Sequence, residues 1–105
     1  MSASRRHEIL LPLRFNAGQP VPKELLSDAL VELEQQFEAV SWETQIIRGS
    51  WQRASRSYRD DLMRVFVDVP DVPENREFFL QFKQRMKRKF VQLDIWLTSY
   101  SIDVL

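Results

Sequence analysis

Few side chains in this sequence can do chemistry. His7 is the only histidine, and it alone carries a group that titrates near neutrality without help from its surroundings. Placed beside Glu8 at the start of the first apolar run, it reads either as a general base in a shallow pocket or as an ordinary strand-end residue, exposed or half-buried. The second reading is favoured, because a base is defined first by geometry and no partner is visible. There is no Cys, which excludes disulfides, thiol nucleophiles and Cys-ligated metals, and a single His excludes a multi-His metal site within one chain. Asp60 and Asp61 are adjacent, so on a strand they point to opposite faces and cannot share a proton. Ser50, Ser55 and Ser57 have no base placed to activate them. No catalytic set, cofactor or metal is expected, and the chain leans away from being an enzyme.

Two groups of residues could bind. Arg48, Trp51, Arg53, Arg56 and Tyr58 interleave guanidiniums with rings, a pattern that holds phosphates or stacks on bases but that is also ordinary hairpin surface. Lys83, Arg85, Lys87, Arg88 and Lys89 give five basic residues in seven. They read as a surface for an anionic partner or as a solvated helix face that complements the helix dipole. Over the whole chain 15 Lys and Arg balance 15 Asp and Glu, so nucleic acid is not the expected partner. The balance hides an asymmetry. The first predicted helix, 23–39, carries one Lys against five acids, and the second, 74–91, carries six bases against two. Such opposed faces either match one another across the fold or orient a partner.

The elements that position these residues follow from apolar spacing. A strand over 7–15 alternates His7, Ile9, Leu11, Leu13 and Phe15 against Leu10, Pro12 and Arg14; Pro12 suggests an edge or a bulge. A helix over 22–39 repeats Leu26, Leu30, Leu33 and Phe37. A second strand over 42–52 has ambiguous parity, and Gly49 hints at a bulge within it. A third strand spans 58–69. Asp71, Pro73 and Glu74 resemble a capped helix start, and that helix runs to Phe90 with Phe79, Phe82, Met86 and Phe90 inward. A fourth strand covers 93–100. The order β-α-β-β-α-β predicts one α+β domain over 1–105, a ferredoxin-like sandwich whose four-stranded antiparallel sheet carries both helices on one face. No apolar run approaches the roughly 18 residues of a membrane span, and the short start is not a signal peptide, so a cytoplasmic protein is expected.

The other face of such a sheet would receive Leu10, Leu62, Phe66, Trp96 and Tyr100, with either Trp42 and Ile46 or Ile47 and Trp51. An apolar face of that size calls for a cover. The candidates are the tail 101–105 or a long hairpin, a second copy in a sheet-to-sheet homodimer, another protein partner, or a ligand in a pocket lined by Phe66, Trp96, Tyr100 and Trp51 or Trp42, with His7 or Arg48 as polar contacts.

Families of the same topology leave limited traces. Arg64-Val65-Phe66-Val67-Asp68-Val69 lacks the Gly-aromatic core of an RNA-recognition motif, and Asn16-Ala17-Gly18-Gln19-Pro20 lacks the Gly-rich anion loop of an acylphosphatase. The aromatic second face resembles the dimeric α+β barrel of heme-degrading and cofactor-free monooxygenases in architecture only. The stretch Asp71-Val72-Pro73-Glu74-Asn75-Arg76-Glu77-Phe78-Phe79, with Lys83, Phe90, Gln92 and Asp94-Ile95-Trp96-Leu97-Thr98-Ser99-Tyr100, is similar to a group of small uncharacterised bacterial proteins. That resemblance implies the fold and carries over no functional residue. The expected role is a non-catalytic interaction or regulatory module that homodimerises through its sheet face; the alternative is a ligand-binding protein or cofactor-free enzyme of the barrel type.

Overall fold

Alternation and helical stripes place the elements near where the sequence predicts them. The computed structural model describes residues 3–43, 47–53 and 56–105, with 47–49, 51–53 and 56–60 described by their backbone alone. The elements are β1 (Ser4–Pro12), α1 (Lys23–Phe37), β2 (Ser41–Trp42), β3 (Ile47–Arg53), β4 (Arg56–Pro70), α2 (Pro73–Lys89) and β5 (Leu97–Ile102). All pairings are antiparallel. β2 and β3 pair in succession with one side of β4, whose other side pairs with β1, and β1 in turn pairs with β5. The sheet is therefore four strands wide, and the architecture is the α+β ferredoxin-like sandwich.

The core lies between sheet and helices. Ile9, Leu11, Val65, Val67, Val69 and Ile95 from the sheet side meet Ala29 and Leu33 of α1 and Phe79, Phe82 and Met86 of α2, with Phe90 at the end of α2. Parallel rings stack from β1 through α2 to α1. His7 lies 4.3 Å from Phe79, and Phe79 lies 5.2 Å from Phe37, with interplanar angles of 9° and 4°. Phe78 meets Phe37 edge-on at 5.0 Å. Aromatic contacts of this kind add to the burial of the rings themselves.

Several expectations are corrected. β1 is a central strand, not an edge strand, yet Pro12 lies where one of its sides is open, so the expected edge holds locally and no bulge is needed. The Leu10 N–H donates to the Trp96 carbonyl at 3.0 Å and the Leu13 N–H to the Asp61 carbonyl at 2.8 Å. By alternation, position 12 faces β5, whose pairing has already ended, so the missing N–H of proline costs no ladder bond. The second strand is two pieces. Trp42 pairs with Val65 but Ile47 pairs with Leu62, so two extra residues enter between them, while Gly49 pairs regularly with Asp60. The register break therefore precedes Gly49.

The start of α2 has Val72 as its N-cap, with Pro73 first in the helix and no side-chain cap. Asp71 instead takes the Arg5 guanidinium at 3.1 Å. The last strand begins at Leu97 rather than at 93. Before it, Asp94 accepts the Ile95 N–H at 2.9 Å and Lys83 at 3.1 Å. Burial pushes the Asp94 carboxyl up, but Lys83, the Ile95 N–H and Lys87 together hold it below its ordinary value.

Candidate functional site

Positions of even number along β1 point away from the helices. Cross-strand pairing sets Arg6 between Asp68 and Tyr100, Glu8 between Phe66 and Thr98, and Leu10 beside Arg64. The register alone thus interleaves opposite charges, the arrangement that stabilises neighbouring strands. Arg6 grips Asp68 through two bonds of 2.7 and 2.9 Å. Arg64 donates to both Glu8 and Glu43, and the Tyr100 hydroxyl donates to Glu8 at 2.8 Å. Phe66 forms the platform between the two guanidiniums, with Arg6 at 4.4 Å and Arg64 at 4.7 Å from its ring centre. Contacts of this geometry are cation–π pairs.

The electrostatics follow from these partners. Arg64 holds the Glu8 carboxyl below its ordinary value; burial opposes this and Tyr100 assists it. Asp68 raises Arg6, and Glu8 with Glu43 raises Arg64. The expectation of a largely apolar second face is thereby corrected. Phe66 lies within an ion-paired network, and the exposed rings lie at its margin. Trp96 is 66% exposed and Tyr100 42% exposed. Neither helix packs on this side, and the tail leaves it uncovered, since Val104 and Leu105 are themselves exposed.

The other candidate residues scatter. Trp42 pairs with Val65, whose side chain faces the helices, so Trp42 belongs to the helix side, where it is 47% exposed at the margin. Arg48 and Trp51 lie in β3, with Arg48 opposite Asp61 and Trp51 opposite Tyr58; their side chains lie outside the described residues, as do those of Ile47, Arg53, Arg56, Tyr58 and Asp60. Ile46 and Ser55 lie outside the described residues altogether.

The basic face of α2 is largely committed within the chain. Lys83 lies 3.1 Å and Lys87 4.0 Å from Asp94, and Arg85 pairs with Glu32 of α1. Arg88 and Lys89 make no ion pair among the described residues. The opposed helix charges therefore meet through Arg85 and Glu32, as the matching reading expects.

His7 is not a strand-end residue. It lies within β1, is 4% exposed and stacks on Phe79. Burial pushes its imidazole below the ordinary value; Arg5 and Arg76 push the same way and Asp71 opposes them. A cleft of about 100 Å³ opens beside it, between Leu97 and Ser99 of β5 and Arg76 and Leu80 of α2. That is the room of about three water molecules; it corrects the expected grouping of His7 with Phe66, Trp96 and Tyr100, because His7 and its cleft lie on the helix side of the sheet. The signal was present in the parity of His7 with Ile9 and Leu11. Among the described residues, no three His, Cys, Asp or Glu side chains gather to hold a metal ion, and no helix is long and apolar enough to cross a membrane.

No family model and no curated protein matches the chain. Solved structures do match in fold. A phage SAM lyase in complex with S-methyl-5'-thioadenosine superposes with a TM-score of 0.70 at 13% identity, over 99% of this chain and 92% of that one. The divalent cation tolerance protein CutA1 of Thermus thermophilus gives 0.61 at 12% identity, over 94% and 84%. The GlnK–ATP complex of Bacillus subtilis gives 0.56 at 14% identity, over 97% and 84%. At these identities the likeness concerns the fold.

Proposed function

We propose that residues 1–105 act as one cytoplasmic interaction or regulatory domain, without catalysis of its own, that homodimerises through the open face of its sheet. The observation that carries this reading is the uncovered margin of that face, where Trp96 and Tyr100 stand exposed beside a fixed charge network. Aromatic anchors surrounded by satisfied polar groups are the usual composition of a binding patch. The pairs Arg6–Asp68 and Arg64–Glu8 are already formed within the chain, so a second copy would desolvate rings beside paired rather than bare charges.

Sedimentation equilibrium at micromolar concentration tests the reading. A mass of two chains is expected, and Trp96→Arg should return it to one chain with little change in thermal stability. A single-chain mass for the unaltered protein overturns the proposal. A mass of two chains that survives Trp96→Arg moves the interface off this face.

The alternative is binding of a small ligand at the same face. Two of the fold neighbours are complexes with adenosine compounds, S-methyl-5'-thioadenosine and ATP. The cleft beside His7 lies on the helix side and is smaller than the roughly 300–1,000 Å³ of an ordinary ligand pocket, so a nucleoside site on the open face would have to form between copies. Calorimetric titration with those two compounds decides this reading; no heat of binding with the assembled protein removes it.

A further inference from the structure

The cleft between β5 and the first turns of α2 is lined by three donors, His7, Arg76 and Ser99, that donate to no acceptor among the described residues, and by no carboxylate. His7 is 4% exposed, yet its ring nitrogens make no hydrogen bond to any described residue. No fully enclosed side-chain nitrogen or oxygen lacks a partner among those residues, so the His7 nitrogens keep accessible surface, and the cleft is the opening that the ring lines. A neutral imidazole presents one N–H there. Ser99 Oγ already accepts from the Arg5 guanidinium at 3.3 Å, which leaves its own proton to donate elsewhere. Arg76 lines the same cleft and makes no ion pair among the described residues.

Asp71, whose charge opposes the two arginines at His7, is held by Arg5 at 3.1 Å. The local field is therefore positive, in keeping with the downward push of Arg5 and Arg76 on the His7 imidazole. The remaining lining comes from the apolar Leu80, Leu97 and Phe79, with Thr98 beside them.

The geometry points to a binding site for a small organic acid, its carboxylate held by Arg76, Ser99 Oγ–H and the His7 N–H and its short alkyl part against Leu80 and Leu97. The cleft of about 100 Å³ limits the guest to a few heavy atoms. The site is on the helix side of the sheet, so it neither needs nor excludes the self-association proposed above.

The only His of the chain is its own reporter. Propionate is titrated into the full-length protein at constant ionic strength while the His7 ring resonances are followed by NMR. A saturable shift is expected, with propionamide producing none because it lacks the charge. Arg76→Gln should weaken binding about tenfold or more, as loss of a charge-assisted bond does, and Ser99→Ala several-fold. Arg76 is exposed, so its variant should stay folded, which circular dichroism checks. A shift that never saturates, equal binding of the amide, or undiminished affinity in folded Arg76→Gln overturns the proposal. Inorganic phosphate binding as tightly as propionate overturns the assignment to an organic acid.

Discussion

Lowering the pH from 7.5 to 5.5 should destabilise this protein through His7. The folded imidazole lies below its ordinary value because it is buried against Phe79, whereas the unfolded one titrates near 6.5. Between those two values the unfolded chain binds more protons than the folded one, so stability rises with pH in that window. The contribution is complete above about pH 6.5 and is lost progressively as pH falls toward the folded value. One proton limits the slope to about 1.4 kcal/mol per pH unit, which for a domain near this size is a fall of roughly 4–8 °C in Tm per kcal/mol. The window is clean, because there is no second His or any Cys. The displaced carboxyls of Glu8 and Asp94 are lowered, so their effects fall below about pH 4.5. Urea denaturation at half-unit pH steps measures the slope, and His7→Phe, which keeps a ring against Phe79, should flatten it. A flat profile between pH 7 and 5.5, or greater stability at the acid end, would refute the burial of a neutral His7.

Three further outcomes are expected. Phe82 is fully buried, so Phe82→Ala should cost about 3–5 kcal/mol in urea denaturation. A double-mutant cycle on Arg85 and Glu32, which pair across the helices while partly exposed, should give a coupling of about 0.2–1 kcal/mol that fades with salt. Reversing Lys87 and Arg88 to Glu should lower Tm by only a few degrees, since Lys87 reaches Asp94 at 4.0 Å and Arg88 makes no ion pair among the described residues. Loss of binding to an anionic partner by the same variant would show that these residues serve a partner rather than the fold.

The fold was legible because its signals are local and periodic. The stripe Phe79, Phe82, Met86 and Phe90 and the run Val65, Val67, Val69 each mark their buried face without help from the rest of the chain, and all seven are buried. The open face was not legible, because its character depends on register. Arg6, Glu8, Arg64 and Asp68 look like scattered charges along the sequence, and only the pairing of Arg6 with Asp68 and of Glu8 with Phe66 turns them into a network. The two-residue slip between Trp42 and Ile47 has no local signature, whereas Gly49, the residue type expected at a bulge, pairs regularly. Asp71 has the residue type and position of a cap but is engaged by Arg5, which lies distant in sequence. His7 stands out by residue type alone, whereas its surroundings exist only once β5 and α2 are in place.

The central position of β1 has a consequence for how the protein is made. β1 is the earliest of the described elements to leave the ribosome, yet one of its ladders waits for β4 and the other for β5, whose Ile102 lies opposite Ser4. Until the last strand emerges, one whole side of β1, with its donors and acceptors, is available to any other extended chain. Closing such distant pairs is slow compared with forming the helices. Nascent chains truncated before 97 should therefore present β1 as an adhesive edge, and binding of holdase chaperones should end when β5 becomes available.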